Sequence, residues 1–374
     1  MNRRWLPLGA LGALAGIALL AIGCGGAYTP PAATSAPAKQ AESTKPAAEA
    51  TKPAAQAAPT IQLKLSHHEP ETSLFHAALV KWSNEINQKT NGQVKITIYP
   101  GETLAKGREI TTAVESGMAD IGWAIVGFFP GQFPLTEAGQ MPILGINNSV
   151  QGSKALWDLY SGNPDVQKEW SKYKLIGFTS SGTQWISTSK KPVRVIEDVK
   201  GLKLRVSGWG GTELMKNLGA SPMNVAPPEM YESISKGILD GAVFDWQGIN
   251  SNRLYEVLNY ASTFPIIIQP QALIMNQNKW KSLPPDVQKV FDEVGGKYYG
   301  QLVGGQAFDA ADAQGIDNFK KLNKEIITFP PDQVKKWQDA AKPVWAAWVE
   351  SLKPKGLDGQ KALDQLLAAI EKNK

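Results

Sequence analysis

The stretch 199–245, VKGLKLRVSGWGGTELMKNLGASPMNVAPPEMYESISKGILDGAVFD, restricts what this chain can become more than any other part. Leu202, Leu204 and Val206 alternate with Lys203 and Arg205, the period-2 pattern of a strand with one buried face. Gly208, Gly210 and Gly211 end that strand. Thr212 can then cap a helix whose apolar face is Leu214, Met215 and Leu218, with Gly219 as its stop. Pro227 and Pro228 open a second helix that carries Glu229 in its first turn and closes at Gly237, and 238–244 reads as the next strand. The unit is β-α-(short β)-α-β, so an open α/β sheet is expected. Arg205 stands near the carboxyl end of the first strand, the edge at which open α/β sheets bind ligands.

The N-terminus has the parts of an export signal. Arg3 and Arg4 precede an apolar run over 8–20, and Ala21-Ile22-Gly23 leads into Cys24, the one cysteine of the 374-residue chain. The run is short for a membrane-spanning helix, which needs roughly 20 residues. The exit resembles a bacterial lipobox, which implies a signal peptide over 1–23 and lipidation of Cys24. With no second cysteine, no disulfide is available within the chain. Residues 24–60, after the anchor, are rich in Ala, Pro, Thr, Ser and Lys and cannot bury a core; they read as a disordered tether.

The remainder is long enough for two lobes. Of 39 basic and 34 acidic residues, five basic and two acidic fall in the first 60, so the rest carries only +2. No clustered basic face implies nucleic acid. Residues 61–66 alternate as a strand, with His67, His68 and Glu69 at its carboxyl end. An amphipathic helix follows over 73–88 (Phe75, Leu79, Trp82, Ile86), then a strand over 94–99, a helix over 103–118 and a third strand opened by 119–123. All three histidines (His67, His68, His76) lie here, and they read as ordinary polar residues rather than a metal set. Trp123, Phe128, Phe129 and Phe133 make an aromatic cluster. Later come a strand over 175–179, a crossing at Gly182-Thr183-Gln184-Trp185, and a long helical run from Pro285 to Phe319 that Gly295-Gly296 and Gly304-Gly305 weaken without ending. A last helical region bears Trp337, Trp345 and Trp348 at packing spacing.

GLKLRV at 201–206, LGASP at 218–222, EMYESISKGILDG at 229–241 and YEVLNYAS at 255–262 occur in this order. Together they resemble the solute-binding proteins of tripartite ATP-independent periplasmic (TRAP) transporters, DctP type, over about 61–372. The resemblance implies a two-lobe periplasmic-binding-protein-like α/β fold, a ligand cleft between the lobes and a long helix spanning both. It also implies that Arg205, in the G-L-K-x-R position, forks onto a substrate carboxylate. Many relatives carry a second arginine where this chain has Gln184 and Trp185, and sialic-acid-type relatives an Asn where Phe244 stands, followed by Asp245. Two polar anchors are thus replaced, and Trp209 adds a further ring; a substrate with fewer hydroxyls and more apolar area is expected. His67, at a strand end, and Trp123, in a segment that lines the cleft of relatives, complete the expected contacts.

No G-x-S-x-G, H-E-x-x-H, phosphate-loop or G-x-G-x-x-G motif is present, so no enzyme and no cofactor is expected. The lobes are expected to comprise 61–181 plus 270–309 and 182–269 plus 310–374. The reading is a lipid-anchored, extracytoplasmic receptor that hands an organic acid to TRAP permease subunits. The alternatives are the receptor of an ABC importer, a sensor presenting ligand to a receptor kinase and a surface-anchored carboxylic-acid enzyme.

Overall fold

The computed structural model describes residues 60–374, so the expected signal, Cys24 and the tether lie outside the described residues. In chain order the elements are β1 (Ile61–Ser66), α1 (Leu74–Lys89), β2 (Val94–Tyr99), α2 (Ile110–Glu115), β3 (Ile121–Ile125), α3 (Ser149–Gly162), α4 (Pro164–Glu169) and β4 (Tyr173–Ser180). There follow β5 (Trp185–Thr188), β6 (Lys203–Arg205), α5 (Trp209–Asn217), β7 (Ser221–Met223), α6 (Met230–Ser235), β8 (Gly241–Phe244), α7 (Trp246–Ser251) and β9 (Tyr260–Ser262). The chain ends with β10 (Pro270–Asn276), α8 (Gln277–Ser282), α9 (Pro285–Glu293), α10 (Gly296–Val303), α11 (Ala310–Lys321), β11 (Glu325–Ile327), α12 (Pro331–Leu352) and α13 (Gly359–Lys372).

Two sheets result. The first runs β2-β1-β3-β10-β4, with β1 to β3 parallel and β10 antiparallel to both its neighbours. The second runs β11-β9-β5-β8-β6-β7, with β6, β7 and β8 parallel as the 199–245 pattern requires. Its edge strand β7 contains Pro222, whose missing N–H is tolerated at an edge. Ser73 caps α1 through the His76 amide, and Phe75, Leu79, Trp82 and Ile86 bury against β1, β2 and the helices after β10.

The sheets are joined where β4 leads to β5 and β9 leads back to β10. These crossings run side by side and bond to each other: Gln184 N–H to Ile267 O at 2.8 Å, Ile266 N–H to Gln184 O at 2.9 Å and Ser181 N–H to Gln269 O at 2.9 Å. A third link is helical. α10 packs on β4 and α3 of the first sheet, a π-helical segment (Gly304–Asp309) continues it, and α11 packs on α7 and β11 of the second.

Three expectations change. The long helical run is broken at Gly295–Gly296, where Gly296 takes φ +56° and a β-carbon would stand 2.9 Å from the Trp157 indole. The helix expected over 103–118 contracts to a 3-10 turn (Gly107–Glu109) and α2. The tail also departs from the division into 182–269 plus 310–374: α13 lies on α3, burying Leu363, Leu366 and Ile370 in the first sheet's core. α12 contributes to both cores, Trp337 and Val344 to the second and Trp348 and Leu352 to the first. Among the described residues no helix is long and apolar enough to cross a membrane.

Candidate functional site

β6 and β8 lie side by side and end together, with Arg205 opposite Ala242. This places Arg205 and, two residues further along β8, Phe244 on one wall. The guanidinium sits 4.6 Å from the Phe244 ring centroid, and Arg205 is only 2% exposed. Its Nε donates to Val225 O at 3.2 Å, while Nη1 is buried with no partner. Neither candidate carboxylate neutralises it: Asp240 accepts the Lys203 amide at 2.8 Å, and Asp245 caps α7 by accepting the Gly248 amide at 2.8 Å. Among the described residues no acid lies within ion-pair distance of Arg205. Burial lowers its pKa to about 10 against the opposing field of Asp245, so the group stays charged.

The facing wall comes from the first sheet. At the end of β1, His68 stacks on Trp123 (centroids 4.7 Å apart, planes 13°), and Phe75 stacks on the same indole at 3.9 Å. Burial, then the Arg205 charge, depress the His68 pKa to about 4, which makes the ring neutral near pH 7. Glu69 accepts a bond from Gln247 of α7 at 2.9 Å, a buried tie between the walls; burial above all raises its pKa to about 7. Gln269 Nε2 makes a second tie to Ser207 O at 2.9 Å. Between the walls is a cavity of about 20 Å³, room for water and not for a ring. A larger cavity of about 280 Å³ shares His68, Phe128 and Pro227 with it and is bordered by Lys106 and Arg108.

Of the expected residues, the structure brings Arg205, Phe244, Asp245, Gln184 and Trp123 to the inner cavity. Three are not among its walls. His67 is turned to the other side of β1's end, its Nε2 3.1 Å from His76 Nδ1 and its ring edge-on to Phe75, so His68 takes the place expected of it. Trp185 pairs across the strands with Phe244 and backs it within the second sheet's core. Trp209 opens α5, donates its amide to Gln140 Oε1 at 3.1 Å and borders a separate depression with Pro130 and Lys216. Sequence reasoning missed Glu69, Gln247, Gln269, Gln271 and Phe308. The pair at 269 and 271 carried a readable signal: two amides two residues apart in PIIIQPQALIM share a strand face that cannot be core.

Residues 65–351 match the family model for bacterial extracellular solute-binding protein, family 7. The chain belongs to that family. It is a substrate-binding receptor of the TRAP type and not an enzyme, and receptors of this family are extracytoplasmic. A TRAP solute-binding protein from Rhodoferax ferrireducens, solved with copurified benzoate, is similar at a TM-score of 0.80 and 26% identity, over 84% of this chain and 98% of that one. A second, from Bordetella bronchiseptica with bound (R)- and (S)-mandelate, gives a TM-score of 0.78 at 28% identity, over 84% of this chain and 100% of that one. The 2,3-diketo-L-gulonate-binding periplasmic protein of Escherichia coli is 24% identical over 271 residues, 71% of this chain and 80% of that one. The two-sheet fold with its linking helix is that of TRAP solute-binding proteins.

Proposed function

We propose that this TRAP receptor binds a small organic acid bearing an aromatic or similarly apolar body, with Arg205 holding the carboxylate, and delivers it to TRAP permease subunits. The observation that carries this reading is the buried guanidinium with an unpartnered Nη1, facing a cavity walled by Phe244, Trp123, Phe128 and Phe308. A buried cation without a counter-ion is costly, and a carboxylate offers it a charge-assisted, two-pronged partner. The rings favour an apolar body over a polyhydroxylated one. The benzoate and mandelate bound by the two structural relatives are acids of this kind.

The inner cavity is too small for such an acid as it stands, so seating one needs the walls further apart, and Phe128 and His68 are the side chains that separate it from the larger cavity. The lobes, divided near the paired crossings and with α13 on the first, are proposed to hinge there. Closure then excludes water and strengthens the ion pair. The ligand drives closure only through its greater affinity for the closed form. A thermal-shift panel of aromatic acids, aliphatic dicarboxylates, sugar acids and neutral sugars or amides tests the class. At 100 times its dissociation constant a ligand adds about 2.7 kcal/mol to native stability. Aromatic acids are expected to give the largest shifts, and Arg205→Ala to abolish them. A panel in which neutral solutes or sugar acids shift most overturns the reading.

Lipid anchoring at Cys24 belongs to the same proposal and rests on the Ala21-Ile22-Gly23-Cys24 sequence. Cys24→Ala is expected to move the exported protein from the membrane fraction to the soluble one; unchanged fractionation speaks against an anchor at this residue.

A further inference from the structure

Among the groups bordering the inner cavity, two that can only donate are buried without a partner in the protein, and they come from opposite walls: Arg205 Nη1 from the second sheet and Trp123 Nε1 from the first; the His68 Nδ1, whose role depends on its tautomer, is unpartnered as well. Trp123 is 2% exposed. His68 and Phe75 both stack on its indole, so its ring edge, which carries the N–H, is what it has left to offer the cavity. Trp185, Trp337 and Trp348 leave their N–H groups unpaired too, but none of them borders this cavity. An indole N–H is a donor only; unlike an amide it cannot be flipped to serve as an acceptor. Buried and unmet, it costs free energy that any ligand oxygen reaching it recovers.

We propose that Trp123 is a specificity-determining residue, whose indole N–H takes an oxygen carried by the ligand away from its carboxylate, so that the preferred ligands are oxygenated acids rather than unsubstituted ones. The inference rests on the reading that Arg205 holds the carboxylate and narrows it: the ligand spans the cleft, with its acid on the second-sheet wall and a hydroxyl, ether or oxo oxygen on the first. The His68 ring and the Phe75 face stack on the indole and hold it in place. A ligand lacking the oxygen leaves the N–H unmet and forfeits about one neutral hydrogen bond.

Calorimetry on the full-length exported protein with benzoate, 3-hydroxybenzoate, 4-hydroxybenzoate, 3-methoxybenzoate and mandelate tests this. At least one oxygenated acid is expected to bind roughly tenfold more tightly than benzoate, the worth of one neutral hydrogen bond. Trp123→Phe, which keeps a ring between His68 and Phe75, is expected to remove that preference, bringing the ratio of oxygenated-acid to benzoate affinity down to about one whatever it does to benzoate binding itself. If Trp123→Phe fails to fold, the wild-type ranking still decides, together with the indole ¹⁵N–H resonance of Trp123, expected to shift downfield with the oxygenated ligand and not with benzoate. Benzoate binding as well as every oxygenated acid, or an indole resonance that ignores the oxygen, overturns the role of Trp123 alone. If none of the acids binds, the carboxylate reading falls and this proposal falls with it.

Discussion

At the scale of single residues, several buried groups in and around the cavity have their charge state set by burial. Glu69 and Asp312 have their pKa values raised to about 7 and about 8, first by burial and then, for Asp312, by the nearby Asp245 and Asp309 carboxylates. Each holds in the folded state a proton that the unfolded chain has already released, so each costs stability as pH rises toward its folded value. His67 and His68 are depressed to about 3 and about 4 by burial; the cost of keeping them neutral vanishes once pH passes their ordinary value of about 6.5. Between pH 6.5 and 8, then, of these four only the two acids still change. The thermal midpoint is expected to fall over that interval, and the fall to lessen in the Glu69→Gln/Asp312→Asn double variant, with Glu169, raised by burial to about 7, contributing to what remains. A midpoint that holds steady or rises from pH 6.5 to 8 would show that both acids are ionised in the fold. Part of the cavity's lining was legible at this scale, since Arg205 at a strand end, Phe244, Asp245 and Gln184 all border it. Glu69 was not, because a carboxyl beside two histidines reads as solvated until Gln247 arrives from 178 residues away to bury it.

At the scale of elements, the order of the β6-α5-β7-α6-β8 unit was legible, because alternation, proline starts and glycine stops are local signals that agree. The misread elements are those in which a tertiary contact decides. α5 begins at Trp209 rather than beyond Thr212, whose hydroxyl instead donates to Gly208 O at 2.7 Å, and this one-turn difference carries the Trp209 ring away from the cavity. The helix break at Gly295–Gly296 was hidden because a glycine pair weakens a helix without announcing a left-handed residue. The Trp157 ring against Gly296 makes that position specific. Gly296→Ala is expected to cost on the order of 1–3 kcal/mol, from a positive φ and a 2.9 Å clash together. Urea unfolding checks it: the midpoint should drop with an unchanged slope, and an unchanged midpoint would mean that the break is not required.

At the scale of the whole molecule, a two-lobe α/β fold with a cleft and a linking helix was implied by the resemblance to TRAP receptors, but the course of the tail was not. α13 returns to α3 across more than half of the folded chain, and nothing in its amphipathic pattern says which sheet it will cover. Its return, with α12 shared between both cores, ties the two halves on the side of the paired crossings, while Glu69–Gln247 and Arg108–Asn224 (3.2 Å) bridge them around the cavities. The proposed role of Arg205 is to hold a ligand carboxylate in the cleft once its walls have parted to admit the acid. The most direct measurement is calorimetric binding of benzoate beside benzamide, nearly the same shape without the charge, to the full-length exported protein and to its Arg205→Ala variant. Measurable benzoate affinity is expected, with at least about a hundredfold weaker binding of benzamide and loss of on the order of 3 kcal/mol of benzoate binding in Arg205→Ala. Equal affinity for acid and amide, or benzoate binding that survives Arg205→Ala, would contradict that role.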